Sequence, residues 1–238
     1  GYVFSPDGPF SYVDLDADYR VNDGLSLSLN ADYGIGQEYM TYNESGIMTG
    51  SFTPGQMLVK LGAGYRISDK YAAYVRLGYL GEKPAADASY GAFAADISFS
   101  GKFDVSESAS LGAEGGVHDL GTKVTSASGM QFPLPSSAVL NGAYLQKIKD
   151  RHRLQVLARF EYYFYGAIAA AVASDFEISQ IASIRAGYRY GGKSVIPSFL
   201  SLGAGVKFAG ARLDLAYLIG AGDSPVGNTL ALSVGYSF

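Results

Sequence analysis

The chain has 238 residues and a formal net charge of -4, with 48% hydrophobic residues, only 17% charged residues, 31 glycines and no cysteine or tryptophan. Soluble domains carry about a quarter charged residues, so this profile argues against an ordinary soluble enzyme, and the charge balance gives no electrostatic basis for binding nucleic acid. Without cysteine there is no disulfide framework, thiolate zinc site or cysteine nucleophile.

The longest apolar run, Ala167 to Ala173, is far short of the roughly 20 residues that a spanning helix needs. In lipid every backbone amide must be paired internally, which leaves the closed β-barrel as the remaining membrane-spanning option. The pattern along the chain agrees. From Ser11 to Val21 the apolar residues Val13, Leu15, Ala17, Tyr19 and Val21 alternate strictly with Tyr12, Asp14, Asp16, Asp18 and Arg20, the period of a strand with two different faces. Asn22-Asp23-Gly24 then signals a tight hairpin, and Leu25 to Ile35 repeats the alternation.

Eleven more segments follow the same rule: Gln56 to Ile67, Tyr71 to Gly81, Tyr90 to Phe103, Ala109 to His118, Ser137 to Lys147, Leu154 to Tyr163, Ala167 to Phe176, Ala182 to Tyr190, Phe199 to Phe208, Ala211 to Ile219 and Thr229 to Phe238. Each is near the length of about 10 residues at which a tilted strand crosses a hydrocarbon core. A polar lumen inside an apolar exterior explains the alternation, so the chain reads as a single all-β domain over residues 1–238, an antiparallel up-and-down transmembrane barrel. The charged residues expected to face the lumen are Asp14, Asp16, Asp18, Arg20, Lys60, Arg66, Arg76, Arg185, Arg189 and Lys207. Tyr33, Tyr65, Tyr71, Tyr79, Tyr162, Tyr188, Tyr190, Tyr217 and Tyr236 fall near strand ends, where amphipathic rings sit among headgroups.

Short connections alternate with mostly longer ones, the exception being Phe164 to Gly166; outer-membrane barrels place short turns in the periplasm and long loops outside. That alternation makes both the first and the last of thirteen strands descend. Since bacterial barrels have an even strand count, one ascending strand is expected ahead of Gly1, giving 14 in all, or 12 if an element has been split.

The C-terminal TLALSVGYSF looks like the aromatic-ended signal by which outer-membrane barrels are recognised. The stretch GLSLSLNADYGIGQEYMTYNESGIMTGSFTPGQMLVKLGAGYRISDKYAAY, from Gly24 to Tyr74, resembles the PorV/PorQ family of the type IX secretion system. Three later stretches, AFAADISFSGKFD, VHDLGTKVTSASGMQFPLPSSAVLNGAYLQKIKDRHRLQV and SFLSLGAGVKFAGARLDLAYLI, resemble it too. The resemblance implies a FadL-like barrel of 14 strands in the outer membrane of a Bacteroidetes-type Gram-negative bacterium. It also implies partners: other secretion-system subunits and secreted cargo proteins with C-terminal signal domains. The family's N-terminal GMGGA…NPA region has no counterpart here, which leaves the plug of such barrels unassigned.

Other motifs carry little chemistry. Gly187 to Ser194 fits G-x-x-x-x-G-K-[ST], but a phosphate cradle needs a following helix, and Val195-Ile196-Pro197 leads into another strand. Asp14, Asp16 and Asp18 begin like a calcium loop, yet Tyr19 stands where the required glycine would be. On a strand they form a lumenal ladder with steps of about 7 Å, expected to pair with cations such as Arg20, Arg66, Arg76, Arg185, Arg189 or Lys207. His118 and His152 are expected at opposite ends of the barrel, so they cannot share a metal or a catalytic centre. No enzyme activity, cofactor or metal is therefore expected.

The two long connections are more informative. Met40, Tyr42, Ile47, Met48 and Phe52 in one, with Met130, Phe132 and Leu134 in the other, either fold over the mouth or present a sticky surface to a partner. The resulting expectation is a type IX secretion component that binds partners through these loops. The alternative is a FadL-like passive transporter of hydrophobic small molecules.

Overall fold

The computed structural model describes residues 2–4, 10–86, 88–125, 129–149, 151–192, 194–220 and 228–236. All regular structure among them is β-strand. In chain order these are β1 (Tyr2–Phe4), β2 (Phe10–Arg20), β3 (Leu25–Gly36), β4 (Tyr39–Tyr42), β5 (Met48–Phe52) and β6 (Gly55–Arg66). They continue with β7 (Tyr71–Ala85), β8 (Ala88–Ser106), β9 (Ala109–Gly121), β10 (Val124–Thr125), β11 (Gln131–Phe132) and β12 (Ser137–Ile148). The last six are β13 (His152–Tyr163), β14 (Ile168–Ile178), β15 (Ala182–Gly191), β16 (Phe199–Phe208), β17 (Ala211–Gly220) and β18 (Thr229–Tyr236).

The thirteen long strands anticipated from the alternation are present, and they close into an antiparallel barrel in the order β1-β18-β17-β16-β15-β14-β13-β12-β9-β8-β7-β6-β3-β2. The ascending strand that parity demands is not wholly ahead of Gly1. Tyr2 pairs with Leu232 on β18 and with Val13 on β2, so β1 takes the fourteenth place in the ladder. Three residues are too few for an alternating pattern to be read. The aromatic end at Phe238 and most of the connection from Gly220 to Asn228 lie outside the described residues.

The alternation sorts cleanly. Leu29, Leu61, Leu77 and Ala95 lie side by side in register across β3, β6, β7 and β8 on the outward face. Leu61 and Leu77 are each 63% exposed, as expected of a side chain that meets lipid instead of a protein core. The nine interfacial tyrosines named above all project outward. Two of them pack edge to face on the same surface, Tyr71 with Phe103 at 5.9 Å and Tyr79 with Phe93 at 5.3 Å. The first short turn is held by Asn22, whose Oδ1 accepts the Gly24 and Leu25 N–H groups at 2.8 and 2.9 Å.

The connections at the opposite end differ from simple loops. The segment after β3 contains the β4–β5 hairpin, paired separately from the barrel. What read as a loop from Glu82 to Ser89 is mostly a continuation of β7 and β8, whose ladder reaches the Ala85–Ala88 pair. The connection between β9 and β12 holds the β10–β11 pair and then turns inward. Leu134, 7% exposed, packs with Ala92 and Ala94 on the lumenal face of β8, beside Leu80 and Val124.

A charge on the lipid face is the direct test of this arrangement. Leu61→Arg is expected to destabilise the folded barrel by about 2–4 kcal/mol if the site lies near the bilayer midplane. Urea titration of folding into lipid vesicles measures it, with loss of heat-modifiable mobility on gels as the qualitative counterpart.

Candidate functional site in the lumen

The lumenal side chains form discrete ionic clusters. Lys60 on β6 reaches past two strands: its Nζ lies 2.9 Å from Asp96 Oδ2 on β8 and 2.8 Å from Asp119 Oδ1 on β9. Gly78 makes this crossing possible, because a Cβ there would lie 2.6 Å from Lys60 Cγ and 2.7 Å from the Val59 carbonyl oxygen. Asp96 is 4% exposed and also accepts the Asp119 N–H at 2.9 Å.

Asp119 owes its place to a bulge. Ala95 pairs with Leu120 and Ile97 with Val117, so Asp96 alone on β8 faces His118 and Asp119 together on β9. Two residues opposite one is the definition of a β-bulge, and Asp119 adopts φ 54°, a left-handed conformation that aspartate tolerates better than most residues. His118 and Asp119 consequently both face inward. The Ser136 hydroxyl donates to the Asp119 carbonyl at 2.6 Å, tying the inward loop to the bulge.

Three clusters line the wall from β13 to β17. Glu161, buried, accepts Arg159 Nε and Nη2 on Oε1 at 2.9 and 2.6 Å, and Arg189 Nη2 on Oε2 at 2.8 Å. Arg185 joins Asp175 at 2.7 Å to Asp214 at 2.6 Å, and Arg212 adds a second cation to Asp214. Glu177 holds both Lys207 and Arg153.

This pairing corrects one expectation. Arg185, Arg189 and Lys207 do not neutralise the Asp14, Asp16 and Asp18 ladder; they are engaged by Asp175, Asp214, Glu161 and Glu177, which lie one or two strands away. Arg20, Arg66 and Arg76 form no ion pair with any described residue. Asp16 instead accepts from Asn30 Nδ2 at 2.7 Å, its directly opposite partner on β3. Cross-strand adjacency decides the partners, and it depends on register, which alternation alone does not specify.

The loop residues divide as well. Met40, Tyr42, Ile47 and Met48 stand exposed on the β4–β5 hairpin, as do Met130 and Phe132 beside β11. Phe52 is half-buried, with Lys83 Nζ 5.6 Å from its ring centroid. Leu134 is not available to a partner, because hydrophobic burial against Ala92 and Ala94 draws it into the mouth. His118 and His152 lie at opposite ends of their strands; His152 stacks on Phe176 at 5.9 Å. Gly187 to Gly192 ends β15 and enters a turn with no helix after it, Lys193 lying outside the described residues. Among the described residues no three histidine or acidic side chains are grouped to hold a metal ion.

Two of the cavities that border these clusters bear on what the lumen can hold. One of about 630 Å³ has Tyr74, Gly112, Ala143, Leu157, Ala171 and Ala173 among its lining residues, with Glu114 and Arg159 at its polar margin. A second, of about 420 Å³, sits at the mouth against His118, Glu161, Tyr163 and Tyr165. Both fall in the size range of small-molecule sites.

With this geometry in view, the chain is comparable to solved membrane barrels. A crystal structure of the Pseudomonas putida toluene transporter TodX aligns with a TM-score of 0.56 over 98% of this chain and 84% of that one, at 12% identity. The fold is a closed antiparallel β-barrel similar to that of TodX. CdiB from Acinetobacter baumannii aligns at 0.54 and 10% identity over 96% of this chain, which spans only 50% of that protein. No protein-family model and no curated protein matches the sequence.

Sequence parity pointed inward for Asp96, Glu161, Asp175, Glu177 and Asp214, which alternate with apolar neighbours, but their roles as anchors emerge only from the register. Removing one member of a buried pair leaves the other charge uncompensated, at a cost of about 3–5 kcal/mol. Lys60→Met is therefore expected to destabilise the barrel toward the lower end of that range, since Asp119 is partly exposed, and Lys60→Met with Asp96→Asn to recover part of the loss in the same urea titration.

Proposed function

We propose that the protein is a passive outer-membrane transporter of small hydrophobic molecules. The observation that carries this reading is the lumenal cavity of about 630 Å³, in which Ala143, Leu157, Ala171, Ala173 and the Tyr74 ring supply an apolar surface within a lumen that is elsewhere rich in charge. Apolar lining with a few polar groups suits a small solute. The fold supports the same reading, since the structures it resembles include those of TodX, a toluene transporter also described as a monoaromatic hydrocarbon channel.

The test is entry of radiolabelled toluene into Gram-negative host cells that express the barrel, where the lipopolysaccharide leaflet retards apolar solutes. Expression is expected to raise the entry rate above cells carrying empty vector. Ala171→Trp, which fills the cavity from its wall, is expected to return the rate to the control level while the folded barrel persists on gels. Entry no faster than the control refutes the reading.

The exposed β4–β5 hairpin favours a second reading, an outer-membrane component of type IX secretion. Met40, Tyr42, Ile47 and Met48, all more than half exposed, form with Met130 and Phe132 an adaptable apolar surface of the kind that binds varied protein clients. Its partners would be other secretion-system subunits and cargo with C-terminal signal domains. Affinity purification from outer membranes in mild detergent, with mass spectrometry of the co-purifying chains, tests it. Capture is expected to be lost in the Met40→Ser, Met48→Ser double variant, and equal capture by both proteins excludes the hairpin as the docking surface.

A further inference from the structure

Among the described residues, Arg159 alone lines both the mouth cavity and the inner cavity. The residue therefore stands where the two cavities approach each other. The tether holding it there is one-sided, because Nε and Nη2 both bond to a single oxygen, Glu161 Oε1. Glu161 is fixed independently: its other oxygen accepts Arg189 Nη2 at 2.8 Å and the Tyr163 hydroxyl at 3.3 Å. The Arg159 side chain is 39% exposed, against 8% for Glu161, so the arginine is the movable arm and the glutamate the fixed post.

The mouth cavity offers a guest two nitrogens that have no partner among the described residues. His118 Nε2 is buried with no hydrogen-bond partner, and a buried polar atom of this kind is uncommon in a folded protein. Arg159 Nη1 makes no hydrogen bond to any described residue. Of the carboxylate oxygens there, both of Glu161 are occupied, by two arginines and a tyrosine, and Oδ1 of Asp119 is held by Lys60. Tyr163 and Tyr165, with ring centroids 5.4 Å apart, and Ile196 give the cavity an apolar side.

The geometry points to Arg159 as the gate and selectivity residue of the transport path, acting on a small solute that carries an acceptor oxygen, best a carboxylate, on an apolar ring or short chain. This inference rests on the transport reading. A planar guanidinium matches a carboxylate in two-point contact, so such a solute seats in the mouth, draws Arg159 away from Glu161 and opens the way to the inner cavity. A hydrocarbon has no group with which to replace Glu161 and enters more slowly. Glu161 remains paired to Arg189 throughout, so opening leaves no stranded charge.

The experiment compares entry of radiolabelled benzoate and toluene into cells expressing the wild-type chain, Arg159→Ala or Arg159→Lys. Equilibrium dialysis of benzoate against each purified barrel in detergent runs alongside. Arg159→Ala is expected to lower the benzoate-to-toluene entry ratio and to weaken benzoate binding by about tenfold or more, the worth of one good polar contact. Arg159→Lys, which keeps the charge but not the fork, is expected to restore part of both. A ratio and an affinity unchanged in Arg159→Ala overturn the inference. If neither solute enters through the wild-type barrel, the transport reading fails, and dialysis alone judges the site: binding lost with Arg159 supports it, and equal or absent binding overturns it.

Discussion

The absence of water to satisfy backbone amides in a bilayer core governs this structure. Every long strand must be paired on both sides, and an antiparallel ladder achieves that only by closing on itself. Closure explains why a segment as short as Tyr2–Phe4 carries structural weight: it bonds to β18 on one side and β2 on the other, completing the ring where those strands would otherwise present open edges. It also explains why the exterior tolerates so little variety. Leu, Val, Ile, Phe and Ala fill most of the outward positions because polar and charged side chains are costly at that depth.

Within the ring the requirement reverses. The lumen gathers charge, and the chain neutralises most of that charge locally, through acid-base clusters anchored on buried carboxylates such as Glu161 and Glu177. Small residues between them are as informative as the charges. Gly78 gives Lys60 its course across the lumen, whereas Ala143, Ala171 and Ala173 leave volume unfilled, so the same wall contains both rigid latches and open space. A lumen built in this way combines fixed polar groups with unfilled apolar space.

Much of this was legible in the sequence, because period-two alternation is a direct imprint of a two-sided environment. The inward parity of Asp14, Lys60 and Arg185 and the outward parity of Leu61 and the tyrosines followed from it. Partner choice did not. Whether Arg185 meets Asp14 or Asp175 depends on strand register and barrel shear, which long-range pairing sets and local pattern does not. The loops hid more again. Leu134 looked as exposed as Met130, since nothing local marks a loop that turns inward, and β1 was too short to leave a signal.

The bulge at His118 and Asp119 has a consequence of another kind. A strict alternating strand can place only every second residue on its inner face, so neighbouring side chains are always divided between oil and water. One extra residue resets the phase: Val117 below and Leu120 above it both keep their outward aspect, while two consecutive polar residues face in together. The chain thereby doubles the density of polar groups at one level of the pore without a charge ever meeting lipid.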